Sequence, residues 1–358
     1  MPSPTSPARP RLLVVELWGL GDLAFSTTFL RLAEREWDIT LLGKPHAAAL
    51  LAPTFPEIRH VACDAPWTAF RGKYRLHRWP WRELGGLLKT LRAARFDAAV
   101  SVRPDPRDHL LMRLAGARRR YGFPRRGSAA LLNRPVARSR PKQHKVEDWR
   151  DLAAALGLAG SATSEPVLDH ARHRSPRVDA LLAGITPPIL CFHPGARIPV
   201  RRWPEAYFAE IVRRLRAQFD FHLLLVPDPD GYGAALAPLA DSVLPPLTIG
   251  ELVDVLGRID LLLCNDSGPA HLAAACGRPT IPIFGPTDPD WFRPWGERQK
   301  VIIRDICPLR PCFDYCQFPE PYCLTKLSPD EVWPELQAHV MELVARGVLP
   351  ERLVKLRA

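Results

Sequence analysis

The chain has 358 residues, 47% of them apolar and 24% charged, which is too long for one ordinary core and suits two domains of about 150 residues each. No apolar run reaches the ~18 to 20 residues that span a bilayer. The proline-rich opening 1–10 lacks the apolar core of a signal peptide, so a disordered lead and a cytoplasmic location are expected. The net charge of +11 is uneven: residues 1–150 carry 28 Lys and Arg against 13 Asp and Glu, whereas 151–358 carry 21 against 25.

A basic first half points to an anionic partner. Helix-turn-helix, zinc-finger and RNA-binding signatures are missing, so nucleic acid is not expected. An anionic glycolipid or the inner membrane surface accounts for the same charge.

In chain order, Arg11–Glu16 reads as a short β-branched strand that ends at the turn Gly19-Leu20-Gly21. Helical spacing follows over Leu23–Ala33, then a second strand over Ile39–Leu42. That β-α-β opening implies a parallel sheet. Phe96–Val102 adds a strand and Asp105–Ala115 a helix. Between them lies an aromatic, basic stretch, 67–82, with Trp67, Phe70, Tyr74, Trp79 and Trp81 among Arg71, Lys73, Arg75, Arg78 and Arg82. It reads either as a membrane-interface patch or as core tryptophans beside solvated arginines.

The segment 171–188, with Pro176, Pro187 and Pro188, reads as a hinge. Strands are expected again at Ile189–Phe192, Phe221–Val226, Leu261–Cys264 and Thr280–Phe284, with helices at Pro204–Phe219 and Glu331–Arg346. The domain plan is therefore a lead of 1–10, a first α/β domain of 11–175, a second of 176–345 and a tail of 346–358. Two Rossmann-like parallel-sheet α/β domains facing a cleft would bind ligands beyond the carboxyl ends of their strands.

Gly19-Leu20-Gly21-Asp22-Leu23-Ala24 fits a dinucleotide fingerprint, so an NADP-binding oxidoreductase has to be weighed. The second strand ends Leu41-Leu42-Gly43-Lys44, without an acid for the ribose, and Asp22 stands where a pyrophosphate needs amides. A carboxylate at a helix N-terminus serves either as a cap or, at a cleft edge, as a general base toward a hydroxyl.

Asn265-Asp266-Ser267-Gly268-Pro269-Ala270-His271 is a polar turn opening a helix, a ready phosphate or ribose seat. Gly285-Pro286-Thr287-Asp288-Pro289 follows the next strand at the same sheet edge. His193-Pro194-Gly195-Ala196 leads to Arg201-Arg202-Trp203-Pro204-Glu205, whose arginines either clamp a diphosphate or make a solvated basic turn.

Taken in this order, the motifs resemble glycosyltransferase family nine, the lipopolysaccharide ADP-heptose heptosyltransferases with the two-domain GT-B fold. Residues 113–123 are also similar to that family's first domain. The resemblance implies an inverting, metal-independent sugar transfer from a nucleotide-sugar, with no cofactor required, onto a glycolipid or cell-surface glycan. It implies Asp22 as catalytic base. On the donor side it implies His193, Gly195, Arg201, Arg202, Asp266, Ser267, Gly268, His271, Pro286 and Thr287, and on the acceptor side Gly19, Gly21, Arg103 and Arg107. The rival within the fold is another nucleotide-sugar enzyme, using a different sugar or an epimerase.

Two features depart from the family pattern. Glu16, Trp18 and Gly19 stand where a basic residue and Ser-Ser are frequent, and the loop Pro227–Gly231 lacks a Gly-Gly-Pro, leaving Asp230 as stand-in for an acid. Of the eight cysteines, Cys63, Cys191, Cys264 and Cys276 are isolated, whereas Cys307, Cys312, Cys316 and Cys323 cluster in a spacing unlike standard zinc sites. That cluster is read as free or redox-labile thiols, with a metal as the alternative.

Overall fold

The structure is a computed structural model that describes residues 9–69, 73–313 and 315–355. Most of the expected lead, together with Phe70, Arg71 and the last three residues of the tail, lies outside the described residues. The chain divides into two compact units, 1–166 and 167–358.

In the first unit, β1 (Arg11–Glu16), β2 (Asp38–Gly43), β3 (Arg59–Ala62), β4 (Ala98–Ser101), β5 (Arg119–Gly122) and β6 (Arg134–Pro135) form a parallel sheet in the order β3-β2-β1-β4-β5-β6. That is the doubly wound order, with its switch between β1 and β4. Parallel strands are covered on both faces and so read as unbroken apolar runs; Leu12 to Val15 are fully buried accordingly.

Five helices cover this sheet: α1 (Leu20–Ala33), α2 (Ala47–Leu51), α3 (Trp81–Ala94), α4 (Pro106–Leu114) and α5 (Lys145–Leu156). α1 packs along α5 through Phe29 on Trp149, with ring centroids 5.4 Å apart. Neither α3 nor α5 was expected from the sequence. α5 is delimited by a capping box of His144 and Glu147 and by Gly157 in the left-handed region, at φ 82°.

The second unit repeats the plan with α6 (Pro176–Leu181), β7 (Ile189–His193), α7 (Glu205–Gln218), β8 (His222–Leu225), β9 (Ser242–Val243), α8 (Ile249–Leu256), β10 (Leu261–Asn265), α9 (Gly268–Ala275) and β11 (Thr280–Ile283). Three more helices follow: α10 (Pro289–Phe292), α11 (Tyr322–Thr325) and α12 (Pro329–Ala345). Its parallel sheet runs β11-β10-β7-β8-β9, with the switch between β7 and β10. Trp203 centres the core here, its Nε1 donating to the Leu327 carbonyl at 2.8 Å and its ring 5.0 Å from that of Phe208.

Two expectations need correcting. The proline-rich segment 171–188 is not a free hinge, because its start packs on α8: Ser175 N donates to Asp254 at 2.9 Å and Arg258 pairs with Asp179. The change of unit comes earlier, after Pro166. Over its described residues, 346–355, the tail is packed: Leu349 and Leu353 are buried in the second core and Val354 bridges Phe219.

Candidate functional site

In the first unit the chemistry collects at the β1/β4 switch. Glu16 closes β1, Ser101 closes β4 opposite Val15, and Asp22 sits in the first turn of α1. Gly19 is extended at the N-cap, and its amide donates to Asp22 Oδ2 at 3.3 Å. The other Asp22 oxygen forms an ion pair with Arg103, two residues beyond β4. The Arg103 guanidinium lies over the Trp18 ring, 4.4 Å from its centroid.

Thus Asp22 is both a cap and one half of an ion pair. The carboxylate takes the Gly19 amide and puts a negative charge at the helix N-terminus where a pyrophosphate would sit, which argues against the oxidoreductase reading.

Three further acids lie around Arg103. Glu16 is wholly buried; desolvation first and the Asp22 charge second push its carboxyl up to about 8, against the pull of Arg103. Asp108, from α4, is pushed by burial and by Asp105 up to about 7, although Trp67 Nε1 donates to it at 2.8 Å and Ser101 Oγ at 3.3 Å. Asp148, from α5, takes Arg138 and Lys145, each at 2.7 Å. Burial opposes the charge of Arg103, yet Asp22, Glu16, Asp108 and Asp148 together hold its pKa above the usual guanidinium range.

Of the residues expected on the acceptor side, Gly19 and Arg103 hold Asp22, and Gly21 precedes it in the first turn of α1. Arg107 does not join it; Asp105, the N-cap of α4, holds it in a two-bond pair. The sequence reading named Asp22 and Arg103 without pairing them, and it missed Asp108 and Asp148 altogether. A strand ending in a buried acid, as β1 does at Glu16, is the signal that was available.

The second unit builds its group at the β7/β10 switch. His193 ends β7 beside Cys264 of β10 and bonds the Val226 carbonyl at 3.0 Å; burial lowers its pKa, so the imidazole is neutral. Asn265 ends β10 and ties the loops together, accepting from Trp203 N at 3.0 Å and donating to the Pro194 carbonyl. Gly195 is required by close approach, because a Cβ there would fall 2.3 Å from the Asp228 carboxylate.

The expected arginine clamp is already engaged. Arg201 pairs with the buried Asp266 at 3.2 Å, and Arg202 with Asp230 at 2.5 Å and Asp228 at 3.7 Å. Asp230, the stand-in acid, therefore finds a partner within its own domain. Ser267 caps α9 without a side-chain bond, Gly268 opens that helix, and His271 is buried on it. Thr287 is buried after β11, and the adjoining Pro286 carbonyl accepts from Phe313 N at 3.0 Å.

Since β10 pairs in parallel with β11, the two polar loops leave neighbouring strand ends. The hydroxyls of Ser267 and Thr287 are buried and make no hydrogen bond among the described residues. Buried hydroxyls left without partners at a sheet edge are what a polar ligand would satisfy.

All eight cysteines are free thiols. Cys307 and Cys323 lie in the second core; burial first and the neighbouring thiols second push the Cys312 thiol up, and burial pushes Cys323 up to about 11. Among the described residues no three His, Cys, Asp or Glu side chains are arranged to hold a metal ion.

The basic aromatic stretch is split by the fold. Trp67 is a core residue, 5% exposed and bonded to Asp108, and Trp79 packs on its ring at 5.6 Å. Trp81 and Tyr74 are exposed, at 57% and 74%. A membrane-interface role is therefore closed to Trp67. Among the described residues no helix is long and apolar enough to cross a membrane.

With this geometry, residues 85–322 match the model of glycosyltransferase family 9 (heptosyltransferase). The chain is 30% identical over 220 residues to lipopolysaccharide heptosyltransferase 1 of Pseudomonas aeruginosa, a stretch that is 56% of this chain and 60% of that protein. The chain thus spans less than two thirds of that relative's length. Among solved structures, E. coli ADP-heptose lps heptosyltransferase II superposes with a TM-score of 0.69 at 22% identity, covering 93% of this chain and 99% of that one. E. coli heptosyltransferase WaaC with ADP-2-deoxy-2-fluoro heptose gives 0.66 at 21% identity, covering 92% and 99%. These likenesses show the GT-B fold, and the family match, spanning more than half the chain and all of the second-unit motifs through Thr287, shows that the chain belongs to glycosyltransferase family 9.

Proposed function

We propose that this chain transfers a heptose from ADP-heptose onto a hydroxyl of a lipopolysaccharide-type glycolipid, with inversion at the anomeric carbon. The observation that carries the reading is the Asp22 carboxylate, fixed by Gly19 and Arg103 at the carboxyl edge of a doubly wound sheet. The names of the relatives support the sugar and the acceptor, and the bound compound of the WaaC structure supports the nucleotide.

In the proposed step Asp22 takes the proton of the acceptor hydroxyl. The oxygen forms its bond to the anomeric carbon as the bond to the diphosphate oxygen breaks, and ADP leaves with that electron pair. The second unit holds the donor through Ser267, Thr287 and the start of α9, and Arg201 and Arg202 neutralise the departing diphosphate. This is the charge stabilisation that a divalent metal provides in other transferases, so no metal is required.

His193, Gly195 and Asp266 shape the donor loop, and Arg103 belongs to the acceptor side. The protein works in the cytoplasm at the inner membrane surface. There Tyr74, Leu76 and Trp81, exposed amid Arg75, Arg78 and Arg82, meet anionic lipid.

The test is a thermal-shift panel of ADP-, UDP- and GDP-sugars, followed by an assay for nucleotide release with and without a heptose-deficient lipopolysaccharide. Selective stabilisation by ADP-heptose, and ADP release that requires the acceptor, are expected. Release without acceptor, or preference for a uridine or guanosine donor, would overturn the reading.

A further inference from the structure

The Asp22 carboxylate is held at both oxygens. Arg103 takes Oδ1 and the Gly19 amide takes Oδ2. Both holders depend on the short turn between β1 and α1, since Gly19 is part of it and Arg103 lies on the ring of its Trp18. That turn is pinned in turn by Glu16, whose Oε1 accepts from Trp18 N at 3.1 Å. Glu16 Oε2, Trp18 Nε1 and Arg103 Nε are buried without a hydrogen bond among the described residues. Nearest the Trp18 turn, Arg103 thus meets two carboxyls of different standing, Asp22 partly exposed and Glu16 sealed.

We propose that Glu16 and Arg103 are positioning residues for Asp22: Glu16 fixes the Trp18 turn, and Arg103, stacked on Trp18, holds the Asp22 carboxylate in the orientation that receives the proton. This rests on the reading of Asp22 as general base.

Arg103 faces Asp22 from α1, Glu16 from β1, Asp108 from α4, and Lys145 and Asp148 from α5. Keeping Glu16 protonated leaves Arg103 to Asp22. Ionising it places a second charge beside the same guanidinium, which then divides between two carboxylates and releases the base from its orientation. Burial and Asp22 place that ionisation on the alkaline side of neutral, at about 8. Lys cannot replace Arg here, for an ammonium lacks the planar face that lies on indole.

The test compares kcat against pH, and ADP affinity by calorimetry, for the full chain and two variants. In the wild type kcat falls above pH ~8, and Glu16→Gln, which keeps an acceptor for the Trp18 amide and cannot ionise, loses that alkaline limb. Arg103→Lys lowers kcat ~10- to 100-fold, as a displaced catalytic group does, with donor KM and ADP affinity unchanged. An alkaline limb that survives in Glu16→Gln, or a full kcat in Arg103→Lys, overturns the proposal.

A readout independent of turnover separates this from failure of the functional reading. In protein labelled with 13C at the glutamate carboxyls, the Glu16 resonance should titrate above pH 7. It should move to lower pH in Asp22→Asn, where Arg103 is free to turn to Glu16. If the wild type transfers no sugar, the functional reading falls while this titration still decides the arrangement; a Glu16 titration indifferent to Asp22→Asn refutes it.

Discussion

Arg103 pairs with Asp22 while its guanidinium carbon lies 4.4 Å from the centroid of the Trp18 ring, so one side chain joins the end of β4 to the turn after β1. This relation crosses the switch point of the first sheet, where a doubly wound fold leaves room for a ligand. It gives the Asp22 carboxylate a fixed orientation.

Asp108 makes the stability of the first unit pH-dependent. Its folded-state pKa, about 7, lies above its ordinary value of 3.8, so the folded chain binds a proton that the unfolded chain releases. The associated stabilisation is complete below pH ~3.8 and is lost as pH rises through about 7. Asp108→Asn keeps an oxygen for Trp67 Nε1 and cannot ionise. Melting curves at pH 5, 6, 7 and 8 should show the wild type losing ground to the variant with each step. A constant difference would place Asp108 in an ordinary solvated environment.

Ser267 and Thr287 allow stability and affinity to be separated. Removing a buried hydroxyl that has no partner costs the fold little and can stabilise it. Ser267→Ala and Thr287→Val should therefore melt at or above the wild-type temperature, while the affinity for ADP-heptose drops ~3- to 10-fold by calorimetry. Unchanged affinity in both would move the donor away from the β10/β11 edge.

The proposed diphosphate clamp of Arg201 and Arg202 is tested through its charge. Charge-assisted bonds contribute about 1.5 to 3 kcal/mol each, so Arg201→Ala together with Arg202→Ala should weaken ADP binding at least ~10-fold. Because Asp266, Asp228 and Asp230 already hold these arginines, Asp230→Ala should change affinity far less. Equal ADP affinity for the double variant and wild type would exclude the clamp.

The exposed and buried tryptophans should behave oppositely. Trp81→Ala should lower co-sedimentation with anionic vesicles at low salt and leave the melting temperature within a degree or so. Trp67→Phe, which loses the bond to Asp108, should lower the melting temperature and leave vesicle binding intact. Binding indifferent to lipid charge, or to Trp81, would remove the membrane surface as a partner.

The fold was legible wherever apolar runs were unbroken. Leu12–Val15, Ile189–Phe192 and Leu261–Cys264 announce buried parallel strands, and each is one. The brief edge strands β6 and β9, of two residues each, carry too few side chains to show a period. α5 was missed although His144, Glu147 and Gly157 bracket it, because a histidine is an unusual N-cap.

At the site, local motifs marked single residues: Asp22, Ser267, Thr287. The partnerships of Arg103 with Asp22 and of Trp67 with Asp108 span 81 and 41 positions and arise only from strand order. Burial, which makes Glu16 a neutral acid, is likewise set by tertiary packing.

The most direct measurement is the mass of a heptose-deficient lipopolysaccharide acceptor after incubation with ADP-heptose and either wild type or Asp22→Asn. The expected result is an acceptor heavier by one heptose and an equal amount of ADP with wild type. With Asp22→Asn the rate should fall ~100-fold or more, as for a lost general base, and ADP affinity and melting temperature should be preserved. Wild-type protein that leaves the acceptor unchanged, or Asp22→Asn that transfers heptose at the wild-type rate, would contradict it.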